Sequence, residues 1–345
     1  MDILKEKKMP ADTAGQYNYL FKDGKNQMKK IAVVLFNLGG PDSLEAIQPF
    51  LYNLFCDPDI FNLPFGQKLL AKFISTRRAP KVSKEYELIG GKSPINEWTE
   101  VQRKKLELSL NIGDFKFDVY TAMRYWKPFV ADIAKVIETK DYDKIVLLPL
   151  YPQFSITTTG SSFNEWKRHY TGEKNKLIYI KTFYEEDLYL QSINKRIDET
   201  LLKFDKSIQK DVVIVFSAHG TPISLVKKGD LYNSHIKQTV ELVMKQRNYS
   251  HKHVLCYQSK VGPVKWLEPS TDKMIEELAS MGQKHLLIVP ISFVSDHVET
   301  LFELNIEYRH VADKNNIIDY IVMEGLNGLD LFIKTLAKIV TDNLN

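Results

Sequence analysis

Eight short apolar runs recur along the chain, and they restrict its possible folds more than any other feature. Their nearly continuous Val, Ile and Leu content is typical of strands buried on both faces of a parallel sheet. Helix-like stretches separate several of these runs, which predicts an α/β fold with helices on both faces of its sheets. The predicted strands are 31–36, 117–121, 145–150, 177–180, 212–216, 254–257, 286–291 and 318–322, and the clearest helices are 127–139, 187–204, 229–246 and 270–281.

The two halves of the chain carry a similar pattern. A strand ends in a glycine-containing turn followed by proline at 36–41, and another does so at 216–222. Later in each half a strand closes on a proline, Pro149 or Pro290. Proline is tolerated at the end of a strand but not within a sheet, so these prolines mark equivalent ends. We therefore predict two similar half-domains, each a parallel sheet flanked by helices, at about 31–175 and 176–322.

The first half is longer between its corresponding prolines by about 40 residues. The insertion that accounts for this difference falls at about 50–98 and is rich in Phe, Leu and Tyr. Two interpretations stay open. Its apolar side chains either line an apolar ligand or a membrane surface, or they form a local helical hairpin with a small core of its own.

Charge and cysteine content exclude several classes of protein. The 47 basic and 43 acidic side chains are mixed along the chain, and a net charge of +4 is too small to indicate nucleic-acid binding. Cys56 and Cys256 form no C-x-x-C motif, so we expect buried thiols in a reducing, cytoplasmic compartment. No apolar run approaches the length of a membrane span. Residues 1–30 are polar, lack the apolar segment of a signal peptide, and are predicted to form a loosely ordered extension.

Two strand ends carry residues that could perform chemistry, because ligands of open α/β sheets bind beyond the carboxyl ends of the strands. His219 closely follows the strand 212–216, and an imidazole there can accept a proton or bind a metal. His297 and Glu299 follow the strand 286–291. The alternatives are a structural histidine at 219 and, for Glu299, a capping box with Asp296 at the start of a helix.

An acidic stripe extends from Glu299. Glu303 and Glu307 follow it at four-residue intervals, and like charges at this spacing cost a helix about 0.2–0.5 kcal/mol per pair. A solvated helix face tolerates that cost, but a cation would offset it. Imidazole with carboxylate suits Fe²⁺, Zn²⁺ or Mn²⁺. We predict a weak, open metal site here, with a helix irregularity such as a π-bulge re-aiming the carboxylates.

Other polar segments are less specific. The segment 157–162 could bind an anion, although it lacks the G-K-[ST] of a P-loop. The arginines of the pairs 77–78 and 124–125 could each hold a carboxylate through a bidentate fork, or could be solvated at the surface.

Seven segments in order resemble the ferrochelatases, which insert Fe²⁺ into a porphyrin in the last step of heme synthesis. The resemblance covers about residues 31–330. The matching segments are NLGGP at 37–41, RR at 77–78 with PK at 80–81, IGGKSPI at 89–95, YPQ at 151–153 with TTTGSS at 157–162, SAH at 217–219, QSKVGP at 258–263 and SDHVETL at 295–301.

The resemblance implies two half-domains with a cleft for the macrocycle between them, and a C-terminal helix, here 323–345, that packs back on the first half. It implies that His219 and Glu299 are catalytic and contact the metal, that His297 is also catalytic, and that the supporting residues are Asp296, Glu303 and Glu307. The family positions that line the cleft or hold the propionates correspond to Leu38, Arg77, Tyr86, Ser93, Arg124, Tyr125, Trp266 and Phe293. Leu38 stands where animal members have methionine.

The substrates implied are ferrous iron and protoporphyrin IX, because the apolar lip at 50–98 is reduced in relatives that use coproporphyrin. The lip also implies peripheral contact with a membrane. No permanently bound cofactor is expected: the [2Fe–2S] cluster of some members uses cysteines that this chain lacks, with Ile156 at one of those positions. The rival interpretations are a chelatase for another metal or tetrapyrrole, such as coproporphyrin or cobalt, and a non-enzymatic porphyrin or heme carrier.

Overall fold

The computed structural model describes residues 28–61, 65–111, 115–260 and 264–344. Most of the predicted extension, part of the lip and the end of the QSKVGP segment lie outside these ranges. All eight predicted strands are present, and they form two four-stranded parallel sheets. The strands are β1 Lys30–Asn37, β2 Lys116–Met123, β3 Lys144–Pro149, β4 Leu177–Tyr179, β5 Val213–His219, β6 His253–Gln258, β7 His285–Pro290 and β8 Asp319–Val322.

The two sheets have the same topology. Their strand orders are β2-β1-β3-β4 and β6-β5-β7-β8, so the second sheet repeats the first strand for strand. The predicted internal similarity and the α/β fold class are therefore confirmed. The helices are α1 Ile47–Phe55, α2 Gln67–Glu87, α3 Ile95–Leu110, α4 Val130–Glu138, α5 Ser161–His169, α6 Asp187–Leu201, α7 Ile223–Lys227, α8 Tyr232–Gln246, α9 Thr271–Ser280, α10 Tyr308–Lys314 and α11 Asp330–Asp342, with π-helices at Ile156–Gly160 and Glu299–Glu307.

Helices cover both faces of each sheet. The largest core combines inward-facing residues of both sheets with apolar faces of α3, α6, α8 and α11, so these helices form the layer between the sheets. The outer face of the first sheet packs on α4 and α5, and that of the second packs on α9 and α10. Strands such as β1 and β5 are buried almost throughout because they are covered on both sides. This explains their continuous apolar sequences.

The helices α1 and α2 form the lip, which has no counterpart between β5 and β6. They pack on each other around a separate core that includes Ile47, Leu51 and Phe55. The outer surface of α2 and the turn before it nevertheless expose Phe65 and Leu69, by 93% and 79%. The local core is therefore confirmed for one face of the insertion, and the other face is an exposed apolar surface whose contact with a ligand or a membrane stays a prediction.

The C-terminal segment ties the halves together. After β8, a loop leads into α11, which packs against α3 of the first half and against α6. Within the part of the chain that the structure describes, no helix is long and apolar enough to span a membrane.

Candidate active site

The carboxyl end of β5 places His219. Its backbone N–H donates to Ser292 Oγ at 2.9 Å, and its carbonyl accepts a hydrogen bond from the Tyr232 hydroxyl at 2.9 Å. Gly220 is required next to it, because a Cβ there would lie 2.6 Å from the carbonyl oxygen of Gln258. The glycine therefore serves a close backbone approach that fixes the imidazole at the end of the strand.

Glu299 pairs with His219. The distance from His219 Nδ1 to Glu299 Oε2 is 2.9 Å, and the two side chains are 38% and 24% exposed. A carboxylate can only accept, so Nδ1 carries the proton and Nε2 is left as the nitrogen that can gain or lose one. Burial alone would lower the pKa of His219, but the Glu299 and Glu303 carboxylates outweigh it and raise that pKa.

The carboxylate of Glu299 is correspondingly stabilised as an anion. Burial works to raise its pKa, but the positive charge of His219 and the hydrogen bond from it lower the pKa below the usual range. Each side chain therefore stabilises the charged form of the other. Among the described residues, no group of three or more His, Cys, Asp and Glu side chains is arranged to hold a metal ion.

Glu299 begins a π-helix rather than a capping box. The π-helix Glu299–Glu307 continues directly into α10, so the predicted helix irregularity is confirmed. The capping-box alternative is wrong, because Glu299 reaches to His219. Asp296 instead accepts a hydrogen bond from Thr300 Oγ1 at 2.9 Å.

Glu303 is half-buried, and Glu307 is exposed at the surface. Ser259, which adopts a left-handed backbone conformation, donates its N–H to Glu303 Oε1 at 2.7 Å and its hydroxyl to Oε2 at 2.5 Å. Tyr308 adds a third donor. Burial and the adjacent Glu299 nevertheless raise the pKa of Glu303 to about 7. The predicted stripe is thus a row of carboxylates whose exposure increases from the His219–Glu299 pair outward.

His297 is buried close to this pair. Its Nδ1 lies 3.1 Å from the carbonyl oxygen of Ser295, whereas its Nε2 has no hydrogen-bond partner among the described residues. Burial lowers its pKa, which favours the neutral imidazole. The ring of Phe293 lies between the two histidines, 4.3 Å from the His297 ring and 6.2 Å from the His219 ring.

Several predicted cleft residues surround this centre. Tyr86 is buried in the lip core together with Val298, and its pKa is raised by burial and then by the charge of Glu299. Trp266 pairs with Pro222 and lies against Gly220. Ser93 packs on Gly40, where a Cβ would come within 2.4 Å of it. Leu38 follows β1, half-buried.

Arg124 and Tyr125 contact a buried carboxylate at the base of the lip, and their predicted role in substrate binding stays a prediction. Asp57 is fully buried, and its carboxylate accepts from Arg124 at 2.9 Å, from the Tyr125 hydroxyl at 2.7 Å and from the Ser161 hydroxyl at 2.5 Å. The Arg124 side chain is only 8% exposed and also contacts Glu165. These residues join the base of the lip to the first sheet and α5, and their donors are used within the protein.

Arg78, rather than Arg77, is the lip arginine directed at neighbouring lip residues. Its guanidinium carbon lies 5.7 Å from the centre of the Phe55 ring. Burial raises the pKa of Glu85, and Arg78 is one of the cations that oppose this shift. Arg77 is exposed, and no ion pair is found for it among the described residues. The predicted role of Arg77 in substrate binding stays a prediction, and which arginine of the pair contacts Phe55 depends on the helix phase.

Sequence reasoning also missed residues that act through distant contacts. Ser259 was noted only within a family motif, and Tyr308, Gln102 and Asn327 were not singled out at all. For Asn327 the residue type itself was a signal, because asparagine is favoured in left-handed backbone conformations. In the structure Asn327 adopts such a conformation, with a φ of 45°. For the others the decisive contacts are visible only in three dimensions.

Comparison with known proteins agrees with this arrangement. The ferrochelatase family model matches residues 30–344. The ferrochelatase of Geotalea daltonii is 45% identical over 90% of this chain and 97% of its own length, and that of Gloeobacter violaceus is 44% identical over 92% and 98%. The ferrochelatase of Geotalea uraniireducens is 46% identical over 90% and 97%. Among solved structures, a multi-domain Deinococcus radiodurans protein described as similar to chelatases aligns with a TM-score of 0.48 and 10% identity, covering 92% of this chain and 55% of that one.

The fold and the site define an α/β protein with two sheets of one topology and a histidine–carboxylate pair at the carboxyl edge of the second. Such a site can exchange protons and attract a cation. The family match and the sequence identities over nearly the whole chain show that this protein belongs to the ferrochelatase family.

Proposed function

We propose that the protein inserts ferrous iron into protoporphyrin IX to form heme. The observation that carries this proposal is the His219–Glu299 pair, which leaves one imidazole nitrogen available for proton exchange beside a row of carboxylates. Membership of the ferrochelatase family supports the same reaction.

The reaction requires proton removal, because the ring gives up two pyrrole N–H protons for each Fe²⁺ that it takes up. We assign His219 Nε2 as the acceptor of a pyrrole proton, with Glu299 holding Nδ1. Once the imidazole has taken this proton, the approach of a divalent cation favours its loss again, because like charges repel. Proton release and metal arrival are therefore linked at the same place.

The row of carboxylates provides a route between this pair and the surface. Glu303 has a pKa of about 7, so it can hold or release a proton at neutral pH. Glu307 is exposed at the outer end of the π-helix. Protons can leave along this row, and cations can be drawn inward by it.

The first half grips the ring. Apolar side chains around Leu38 contact it, together with Phe293 from the second half, and Arg78 offers a propionate partner at the lip. Binding energy from these remote contacts can bend the ring and expose its nitrogen lone pairs, at a cost of about 1–5 kcal/mol. Arg77, Ser93 and Tyr86 stay in the proposal as cleft positions.

One anaerobic assay tests the proposal and its rivals. Purified protein is given protoporphyrin IX or coproporphyrin with Fe²⁺, Co²⁺ or Zn²⁺, and metalloporphyrin formation is followed spectroscopically. We expect many turnovers with protoporphyrin and Fe²⁺. Preference for coproporphyrin or for cobalt would identify another chelatase, and porphyrin binding without turnover would identify a carrier.

A peripheral contact with a lipid surface is a second proposal. Phe65, Leu69 and Phe73 are 93%, 79% and 62% exposed on or next to α2, and the exposed Lys68 and Lys72 lie among them. Apolar side chains interleaved with lysines suit an anionic bilayer. A cytoplasmic location and the lack of a permanently bound cofactor, including a [2Fe–2S] cluster, remain predictions.

A further inference from the structure

The loop between β8 and α11 holds the peptide bond between Ser295 and Asp296, just before His297. Asn327 lies in this loop, 4% exposed, with its side chain directed at Asp296. Asn327 Oδ1 accepts the Asp296 N–H at 2.9 Å, and Asn327 Nδ2 donates to Asp296 Oδ2 at 2.7 Å. This pair of bonds fixes Asp296 from two directions.

The contact of Asn327 with Asp296 also affects His297, because the two are connected by one rigid peptide plane. The N–H of Asp296 and the carbonyl of Ser295 belong to one peptide bond, which is planar. Asn327 holds the N–H side of that plane, and the carbonyl oxygen on the other side lies 3.1 Å from His297 Nδ1. Because a carbonyl can only accept, it keeps the proton on Nδ1 and leaves Nε2 with a free lone pair.

Gln102 holds this arrangement from the other half of the molecule. It lies on α3, is fully buried, and donates through Nε2 to Ser295 Oγ and to the carbonyl of Asn327, both at 2.9 Å. Gly325 completes the contact, since a Cβ there would lie 2.9 Å from the Asp296 nitrogen. The loop thus fits closely over the Ser295–Asp296 peptide.

The Nε2 atom of His297 indicates what this fixed orientation is for. It is buried and has no hydrogen-bond partner among the described residues, and an unsatisfied buried polar atom needs an explanation. One explanation is that Nε2 is kept free to take part in the reaction. The His297 ring contacts Phe293, which in turn lies beside His219.

We propose that Asn327, held by Gln102, is a positioning residue that fixes His297 in the tautomer with a free Nε2 facing the reaction. The proposal rests on the iron-insertion function above. It adds that the two halves are coupled at the site through α3 and the loop before α11, which touch neither metal nor porphyrin.

The test uses Asn327→Gly, because glycine tolerates the left-handed backbone at this position. We expect kcat to fall about ten-fold or more, with the KM values for porphyrin and Fe²⁺ within about two-fold, since binding groups are untouched. Gln102→Met, which keeps the volume, should lower kcat in the same sense by a smaller factor. It also keeps the proposal testable if Asn327→Gly folds poorly.

Two controls match these variants. Asn316→Gly makes the same replacement at an exposed left-handed asparagine with a φ of 58°. Lys105→Met removes another bond from α3 to the same loop, the 2.7 Å contact with the Gly328 carbonyl, which does not reach Asp296. Both should keep kcat within about two-fold. Equal losses in a control and its matched variant would overturn the proposal.

Two further readouts exclude a merely structural effect. In a His297→Ala background, Asn327→Gly should cause no additional loss of kcat, because the two residues act in series. In ¹⁵N-histidine NMR spectra of the full chain, His297 should be the Nδ1–H tautomer and should become mixed in Asn327→Gly. An unchanged tautomer or fully additive losses would refute the proposal. The NMR result is independent of turnover, so it separates this failure from failure of the proposed function.

Discussion

The central strands of the two sheets end in equivalent places but supply different chemistry. In the first sheet Phe36 pairs with Pro149, and in the second Ser217 pairs with Pro290. Counting two residues onward from each pair aligns Leu38 with His219. The same position therefore carries an apolar side chain in one half and a proton-exchanging imidazole in the other.

The buried charges at the two edges differ in the same way. Asp57, at the first edge, is matched by Arg124 and two hydroxyl donors, so its charge is fully used in holding the lip. At the second edge His219 pairs with Glu299, and burial together with the neighbouring Glu299 raises the pKa of Glu303 to about 7, so Glu303 is partly protonated near neutral pH. A compensated charge stabilises structure, whereas an uncompensated one is available to a cation or a proton. Under the proposed function, the first half supplies more of the grip on the ring and the second half carries the proton chemistry.

The largest expected effect comes from removing the imidazole. His219→Ala should lower kcat by about 10²–10⁴-fold, the usual contribution of a general base, while the Kd for porphyrin changes only a few-fold. Leu38→Ala at the equivalent position is the matched control and should weaken porphyrin binding without a comparable loss of kcat. Stopped assays with porphyrin fluorescence titrations measure both. Near-normal turnover of His219→Ala would remove the distinction between the halves.

The second effect concerns stability. Asp57→Ala leaves Arg124 buried without its carboxylate, and breaking a buried pair in this way costs about 3–5 kcal/mol. Arg168→Met removes a partner of Asp59 and Glu165 whose side chain is 37% exposed, so it should cost about 1 kcal/mol or less. Chemical denaturation compares the two. Similar small losses would mean that the Asp57 network does not hold the lip.

The fold could be predicted from the strands, because a strand buried on both faces has a continuous apolar sequence. Such a strand can be recognised from its own residues without knowing which strands it pairs with. The His219 and Glu299 positions were predictable because strand ends are fixed by the same pattern. The ion pair of Arg124 with Asp57 was not predicted, because the two residues are distant in the sequence. Gln102 escaped notice for the same reason: its partners Ser295 and Asn327 are 193 and 225 residues away.

The third effect separates the two faces of the lip. Replacing Phe65, Leu69 and Phe73 together with Ser should lower binding to anionic vesicles by about ten-fold or more, because about 25 cal/mol per Å² of apolar surface is lost. The melting temperature should stay unchanged, since these side chains are exposed. Phe55→Ser is the control: Phe55 is 7% exposed in the lip core, so this change should destabilise the protein instead. Vesicle co-sedimentation and thermal unfolding decide between these outcomes.

The smallest effect tests the strained charge at the second edge. The pKa of Glu303 is raised to about 7 from a usual value of 4.5. Between these values the folded protein retains a proton that the unfolded chain has lost, so stability falls as the pH rises through this window. Glu303→Gln cannot ionise and should escape that loss.

The variant should therefore gain stability relative to the original protein between about pH 4.5 and 7 and keep the gain above pH 7. One pKa unit corresponds to about 1.4 kcal/mol, but Glu303 is only partly buried and solvent screens its charge, so we expect a gain on the order of 1 kcal/mol. Glu307→Gln, at the exposed end of the row, should change stability by about 0.5 kcal/mol or less at every pH. Denaturant unfolding from pH 4 to 8 measures all three proteins. If the stability difference between Glu303→Gln and the original protein does not depend on pH, then the Glu303 carboxylate is as well compensated as that of Asp57. The contrast between the two edges would then rest on His219 alone.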